Sequence, residues 1–188
     1  MSAREEILAR VRSATSDVTT EKRQTGEAPL IVSWGSASSS LGSATPTHNQ
    51  SQVVELFAEN VADYRATVVR VPAEQVAATV VEQLRAAGLR SVVVPTGLDA
   101  GWSDALGAEF DVLTEVDATS AQTLDGIDAV VTGAAIGIAT TGTIVLDHTA
   151  NQGRRELTLV PDTHVCVIGE DQVVHDVPEA VSLLRTPA

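Results

Sequence analysis

The chain has 188 residues, a formal net charge of -13, and 44% hydrophobic but only 3% aromatic residues. This acidic balance excludes a nucleic-acid backbone as the expected partner, because no basic stripe is present to displace its counterions. The one lysine, Lys22, lies in a linker-like stretch, so mechanisms that need a phosphate-loop or Schiff-base lysine lack their key residue.

Membrane association and export are not expected from this sequence. No apolar run reaches the roughly eighteen residues that a membrane-spanning helix needs. Glu5 and Glu6 stand where a signal peptide would carry apolar residues. We therefore expect a soluble, cytoplasmic protein with no membrane partner.

Residues 1–28 are predicted to form an N-terminal helix and arm. Ile7, Leu8 and Val11 fall on one face of a short helix, and residues 13–28 show little apolar periodicity. Such an arm could reach a neighbouring subunit of a homo-oligomer or lie solvated. Residues 29–188 have the length of one domain, so we predict a single α/β domain there.

Within this domain, β-branched runs alternate with amphipathic stretches. The predicted strands are residues 30–32, 67–71, 91–94, 112–116, 129–132 and 144–146. One predicted helix begins at Ser51, and a second follows Pro72 and ends at a left-handed cap at Gly88. Two short predicted helices cover residues 103–108 and 119–124. This alternation predicts a mostly parallel sheet with helices on both faces, in which ligands bind beyond the carboxyl ends of the strands where strand order reverses.

After residue 156 the pattern changes. Short β-like runs at residues 157–160, 164–168 and 172–174 follow one another closely and predict a β-hairpin addition near the C-terminus. Residues 178–184 are predicted to form a final helix.

Residues 133–169 hold the densest set of candidate binding groups. Thr141, Gly142 and Thr143 could form a nest for a small anion, because glycine lets backbone N–H groups approach a ligand, or they could form only a tight turn. Arg154 and Arg155 follow, and a guanidinium binds a carboxylate through two parallel hydrogen bonds. Adjacent residues of an extended chain point oppositely, so one arginine is expected to face the site, and Arg155 is favoured.

Further candidates have both a chemical and a structural interpretation. Asp147 and His148 could form a carboxylate–imidazole pair for proton transfer, or only a polar strand end. His164 opens a strand after a Pro-Asp turn and could belong to the site or brace the turn. Cys166, the only cysteine, is interpreted as a buried strand residue, and alone it can form neither an internal disulfide nor the ligand set of an iron–sulfur cluster.

These motifs occur together in a known family. Ala139, the Thr-Gly-Thr run after it, the arginine-containing loop, and Leu-x-Leu-x-Pro-x-x-His-x-x-Val at residues 157–167 resemble the lactate utilization protein C branch of the LUD-domain family in order and spacing. The resemblance implies the fold shared by ribose-5-phosphate isomerase, glucosamine-6-phosphate deaminase and coenzyme A transferases. It also favours a ligand role for the hydroxyl-and-glycine turn and for His164.

The chain departs from the family pattern at two places. Thr140 stands where family members often carry an acidic residue, so a mechanism that uses a base at this position is not expected here. Family members also usually continue beyond the equivalent of Leu184 into two further segments, Gly-Pro-Ser-x-Thr-x-Asp-Ile-Glu and Gly-Val-His-Gly-Pro, whereas this sequence stops at Ala188. If those segments contribute to the pocket, the site in this chain is incomplete.

The resemblance implies a component of a three-part system that oxidises L-lactate to pyruvate. It implies no cofactor in this chain and iron–sulfur clusters on A- and B-type partner subunits, with this chain binding a small carboxylate or organising the redox partners. Two alternatives stay open at this point. One is an independent enzyme acting on a phosphorylated sugar or an acyl-coenzyme A, with Asp147 or Asp162 as its reactive carboxylate, and the other is a non-catalytic interaction module.

Overall fold

The structure, a computed structural model, describes residues 30–35, 49–118 and 120–184. The predicted N-terminal helix and arm lie outside these ranges. The strands, in chain order, are β1 (Leu30–Gly35), β2 (Thr67–Pro72), β3 (Ser91–Val94), β4 (Asp111–Thr114), β5 (Ala129–Thr132), β6 (Ile136–Ile138), β7 (Thr143–Val145), β8 (Thr163–Gly169) and β9 (Val173–Val174). The α-helices are α1 (Gln50–Asp63), α2 (Val76–Ala86), α3 (Ala100–Gly107), α4 (Ala121–Asp125) and α5 (Val177–Leu184).

Six parallel strands form the main sheet in the order β2-β1-β8-β5-β3-β4. Five of them fall where the alternating pattern predicts strands, with boundaries that differ by at most a few residues. The sixth, β8, lies between β1 and β5. The predicted α/β class with a mostly parallel sheet is therefore confirmed.

Helices cover both faces of the main sheet, as predicted. On one face, Val165 and Val167 of β8 belong to the same buried cluster as Leu84 of α2. On the other face, Cys166 of β8 belongs to a cluster with Phe57 of α1. Because successive side chains of a strand point to opposite faces, β8 is buried on both sides, as central strands of parallel sheets are.

The helix ends have local causes. The Asn49 side chain accepts a hydrogen bond of 3.1 Å from the N–H of Ser51 and caps the start of α1. Gly88, just after α2, has a φ of 74°, which confirms the left-handed cap predicted there. Within the described ranges, no helix is long and apolar enough to cross a membrane.

A second sheet of three strands has the order β7-β6-β9, and β6 and β7 are antiparallel. The predicted position of the β-hairpin is therefore wrong, because the hairpin lies before residue 156 and β8 enters the main sheet. Residues 155–158 form a short 3-10 helix instead of a strand. The physical reason is that Leu157 is fully buried in a cluster with Val130, and Val160, three residues later, packs against the same cluster. This is the spacing of a 3-10 turn and not the alternation of a strand.

Candidate functional site

The carboxyl ends of β1, β3, β5 and β8 lie along one edge of the main sheet, the carboxyl edge. The chain leaves β1 toward β2 on one side and leaves β3 toward β4 on the other, so the strand order reverses between them. In open parallel sheets, ligands bind at such a reversal. A ligand site is therefore expected at the carboxyl edge near β5 and β8.

Residues 147–155, the edge loop, lie across the carboxyl edge. The carbonyl oxygen of Ala150 accepts a hydrogen bond of 3.0 Å from the N–H of Gly97 after β3, and that of Asn151 accepts one of 2.9 Å from Gly133 after β5. A Cβ atom on Gly97 would lie 2.5 Å from the carbonyl carbon of Ala150. Glycine at this position allows the edge loop to approach the sheet closely.

Gln152 holds the edge loop from inside. Its side chain is 1% exposed, and its Oε1 accepts hydrogen bonds from the N–H groups of Asp147 at 2.7 Å and His148 at 3.1 Å. Its Nε2 donates to the hydroxyl of Thr149 at 3.0 Å. Sequence reasoning missed Gln152, because a glutamine in a polar stretch is indistinguishable from a solvated one until its burial is known.

The edge loop carries the predicted Asp147–His148 pair. Asp147 Oδ1 accepts hydrogen bonds from the N–H and the hydroxyl of Thr149, at 3.1 and 2.8 Å. Burial acts to raise the pKa of Asp147, but hydrogen bonds from Thr149 and Gln152 outweigh it and lower the pKa below its ordinary value. His148 is exposed and has a left-handed φ of 61°. A fixed carboxylate and an exposed imidazole thus stand next to each other in the chain.

The two adjacent arginines have different surroundings. Arg154 Nη2 donates to the carbonyl oxygen of Ala118, and the Arg154 backbone N–H donates to Glu115 Oε2 at 3.3 Å. Arg155 is exposed, and its guanidinium makes no hydrogen bond or ion pair with another described residue. Of the two guanidinium groups, that of Arg155 is the one open to a ligand.

Glu115 connects three segments of the carboxyl edge. Its Oε1 accepts hydrogen bonds from the N–H and hydroxyl of Thr96, at 3.2 and 2.8 Å, while Oε2 accepts from Arg154. Burial opposes ionisation, yet the hydrogen bonds from Thr96 and Arg154 prevail and lower the pKa of Glu115. Sequence reasoning missed Glu115 too. Its signal was its place directly after β4, beside the end of the neighbouring strand β3.

Residues 139–142, the β6–β7 turn, contact α1 instead of the carboxyl edge. Gly142 has a φ of 59°, and a Cβ atom on it would lie 2.8 Å from the carbonyl carbon of Asn60. Asn60 Nδ2 donates to the carbonyl oxygen of Ala139 at 2.8 Å. The turn is therefore packed against the C-terminal part of α1.

The polar groups of the β6–β7 turn are partly used within the protein. The N–H of Thr140 donates to the carbonyl oxygen of His175 at 3.1 Å, and that of Gly142 donates to a carbonyl within the turn at 3.3 Å. Thr141 and Thr143 are exposed, and their hydroxyls share a hydrogen bond of 2.8 Å. Two N–H groups that an anion nest would use thus already have acceptors.

The β6–β7 turn and the carboxyl edge lie at opposite ends of α1. Gln50, the first residue of α1, donates from Nε2 to the carbonyl oxygens of Glu170 and Val173, just beyond β8. Asn60 lies ten residues further along α1, which corresponds to about 15 Å at 1.5 Å per residue. The structure therefore separates the predicted hydroxyl-and-glycine turn from the predicted arginines.

His164 belongs to neither place. It lies near the start of β8, opposite Val130 of β5, and its Nε2 is 2.8 Å from the hydroxyl of the fully buried Thr132. Burial lowers the pKa of His164 to about 4, so the ring is neutral at pH 7. The structure thus places His164 within the sheet.

Cys166 lies two residues further along β8. It is buried, and burial raises the pKa of its thiol to about 12, so the thiol stays protonated at pH 7. The interpretation of Cys166 as a buried strand residue is confirmed. In the part of the chain that the structure describes, no three His, Cys, Asp or Glu side chains are grouped as metal ligands would be.

Comparisons with known proteins agree on one family. Residues 54–188 match the LUD domain. The chain is 41% identical over 133 residues to a Deinococcus radiodurans protein named Lactate utilization protein C, covering 71% of this chain but only 60% of that relative's length. The crystal structure of a DUF162 family protein from Deinococcus radiodurans aligns with a TM-score of 0.68 and 39% identity, over 73% of this chain and 80% of that one. The chain belongs to the LUD-domain family.

Proposed function

We propose that this protein takes part in the oxidation of L-lactate to pyruvate and binds a small carboxylate through its edge loop. The observation that carries the proposal is the 41% identity to a relative named Lactate utilization protein C. The chain spans 60% of that relative's length, so both the pathway and the role within it are proposed for this chain.

Arg155 is the proposed carboxylate ligand. A guanidinium presents two parallel donors that match the two oxygens of a carboxylate. Arg155 is exposed, whereas the neighbouring Arg154 is engaged by Ala118 and Glu115. The edge loop is held in advance by Gln152 and by two backbone hydrogen bonds to the sheet, which reduces the entropy lost on binding.

His148 is the proposed proton acceptor. Oxidation of lactate to pyruvate removes two electrons and two protons, one of which comes from the substrate hydroxyl. A neutral imidazole can accept that proton, and the negative charge of Asp147, the preceding residue of the chain, would favour the resulting imidazolium. We propose that the two electrons and the second proton, which comes from C2, pass to the iron–sulfur A- and B-type partner subunits, since Cys166 is the only cysteine here.

A second candidate role is to organise those redox partners. Val116 and Leu159 are each 66% exposed; Val116 follows Glu115 at the carboxyl edge, and Leu159 follows the short 3-10 helix after the edge loop. Large apolar side chains exposed beside a binding edge favour coverage by another protein. Co-purification with the iron–sulfur subunits that survives Arg155→Ala but is lost in Val116→Ser with Leu159→Ser would favour this role over carboxylate binding.

The proposed function is tested by growth on L-lactate as the sole carbon source. A strain lacking this gene is complemented with the unchanged chain, with Arg155→Ala, or with Arg65→Ala, a matched change of another exposed arginine. We expect rescue by the unchanged chain and by Arg65→Ala, and no rescue by Arg155→Ala at equal abundance. Normal growth of the deletion strain, without another lactate dehydrogenase to mask the loss, would exclude the pathway.

A further inference from the structure

A cavity of about 380 Å³ lies between the β6–β7 turn and the C-terminal end of α1. Its volume falls within the range of pockets that bind ligand groups. Its lining residues are Asn60, Asp63, Tyr64, Thr140 and Thr141. None of them belongs to the edge loop, so this cavity is a separate feature of the fold.

The charges around this cavity favour a cation. Asp63 lies in the last turn of α1, where the helix dipole has its negative end. Its carboxylate is exposed and has no hydrogen bond or ion pair with another described residue. Arg65 is exposed nearby but does not line the cavity. A carboxylate ligand would meet like charge here, whereas a guanidinium or ammonium group would be attracted.

Tyr64 adds an aromatic wall to the cavity. It is the only tyrosine of the chain and is 73% exposed. An arginine or lysine head group is attracted to the face of such a ring. The hydroxyls of Thr140 and Thr141 can in addition accept hydrogen bonds from its N–H groups.

Asp63 is also the last member of an acidic stripe along α1. Glu55, Glu59 and Asp63 recur every fourth residue, all three are exposed, and α1 contains no basic residue. Like charges at this spacing, and a carboxylate at a helix C-terminus, both destabilise a helix. The stripe is about 12 Å long, which is more than one small cation can contact. The complementary ligand is therefore a basic segment of polypeptide that is long enough to follow the stripe.

We infer that α1 and the cavity at its C-terminal end form a docking surface for a basic segment of a partner protein. One arginine or lysine side chain of that segment enters the cavity against Asp63 and Tyr64, and further basic side chains pair with Glu59 and Glu55. The inference is independent of the proposed function, because no residue of the edge loop takes part in it.

The test measures the anisotropy of a fluorescein-labelled, alanine-based peptide with arginine at every fourth position, titrated with the full chain at low salt. Asp63→Asn is expected to weaken binding about threefold to fivefold, and Tyr64→Ala by a similar factor. Glu82→Gln, which removes an exposed carboxylate from α2 on the opposite face of the sheet, is expected to leave binding unchanged. A peptide of the same composition with adjacent arginines is expected to bind more weakly.

Three results would overturn the docking surface. Absence of peptide binding is the first. Equal weakening by Glu82→Gln and Asp63→Asn would reduce the effect to attraction by the net charge of -13. Saturable binding of arginine amide, as tight as that of the peptide, would assign the cavity to a small cation instead. Circular dichroism shows whether each variant is folded, and Asp63→Asn should fold well because it removes an unfavourable charge from the helix end.

Discussion

The edge loop and the β6–β7 turn are both held by glycines, but they are held to different parts of the fold and offer different chemistry. Gly97 and Gly133 attach the edge loop to the ends of β3 and β5, where Arg155 is exposed. Gly142 attaches the β6–β7 turn to α1, where the turn faces Asp63 and the negative end of the helix dipole. What a polar turn can bind therefore depends on the charges of the element it contacts.

The largest loss of stability is expected from Gln152→Leu, which tests how the edge loop is held. This change leaves the N–H groups of Asp147 and His148 without their acceptor, and each unsatisfied donor costs about 1 to 3 kcal/mol. We expect the free energy of unfolding in urea to fall by about 3 kcal/mol. The matched change Gln52→Leu, on the exposed surface of α1, should stay within about 0.5 kcal/mol. Equal effects of the two changes would mean that Gln152 does not hold the loop.

Gly97→Ala should have the next largest effect. Its Cβ atom would lie 2.5 Å from backbone atoms of Ala150, so the edge loop or the segment after β3 must move, at a cost of about 2 kcal/mol. Gly107→Ala is the control, because nothing lies within 4 Å of a Cβ atom there and alanine favours the helix. Thermal unfolding should show a lower midpoint for Gly97→Ala only; an unchanged midpoint would contradict the close contact.

The pH dependence of unfolding tests whether His164 is buried within the main sheet and belongs to neither the edge loop nor the β6–β7 turn. The unfolded chain binds a proton near pH 6.5, whereas burial holds the folded-state pKa at about 4. The unfolded state thus binds more protons between these values, so this contribution to stability is complete above pH 6.5 and has fallen by about 2 kcal/mol when the pH reaches about 5. His164→Gln should flatten the pH dependence of unfolding in this window. A wild-type curve with no slope there would contradict the burial of the ring.

The smallest expected effect separates the adjacent arginines. Arg154→Leu loses the hydrogen bond to the Ala118 carbonyl and should lower the free energy of unfolding by about 1 kcal/mol. Arg155→Leu should change it by less than about 0.5 kcal/mol, because that guanidinium has no described partner. Urea unfolding of the two variants side by side measures this difference. The reverse order would assign Arg155 to the structure and free Arg154 for a ligand.

Much of the main sheet could be predicted because most of its strands are recognisable from the local sequence alone. The runs at residues 91–94 and 129–132 are short, apolar and β-branched, and each is bounded by turn residues, so their predicted and observed limits coincide. The place of β8 could not be predicted in this way. Its apolar run is compatible with any buried strand, and its partners β1 and β5 are fixed by packing between segments far apart in the chain.

The candidate site was predictable in its residue types but not in its grouping. Arginine, aspartate and histidine in one polar loop indicate an anion site, and the structure keeps Asp147, His148, Arg154 and Arg155 on that loop. Thr141 is close to them in sequence, yet β6 and β7 carry the turn away along the hairpin, each strand spanning about 10 Å. The resemblance to family motifs gives their order along the chain, which does not determine their distance in space.

The central claim is that a small carboxylate binds at the edge loop through Arg155 and not at the β6–β7 turn. Isothermal titration of L-lactate into the isolated protein, into Arg155→Ala and into Thr141→Val tests it directly. The account predicts that Arg155→Ala weakens binding by about tenfold or more, since a charge-assisted hydrogen bond is lost, while Thr141→Val changes it less than about twofold. Loss of binding in Thr141→Val with full binding in Arg155→Ala would contradict it.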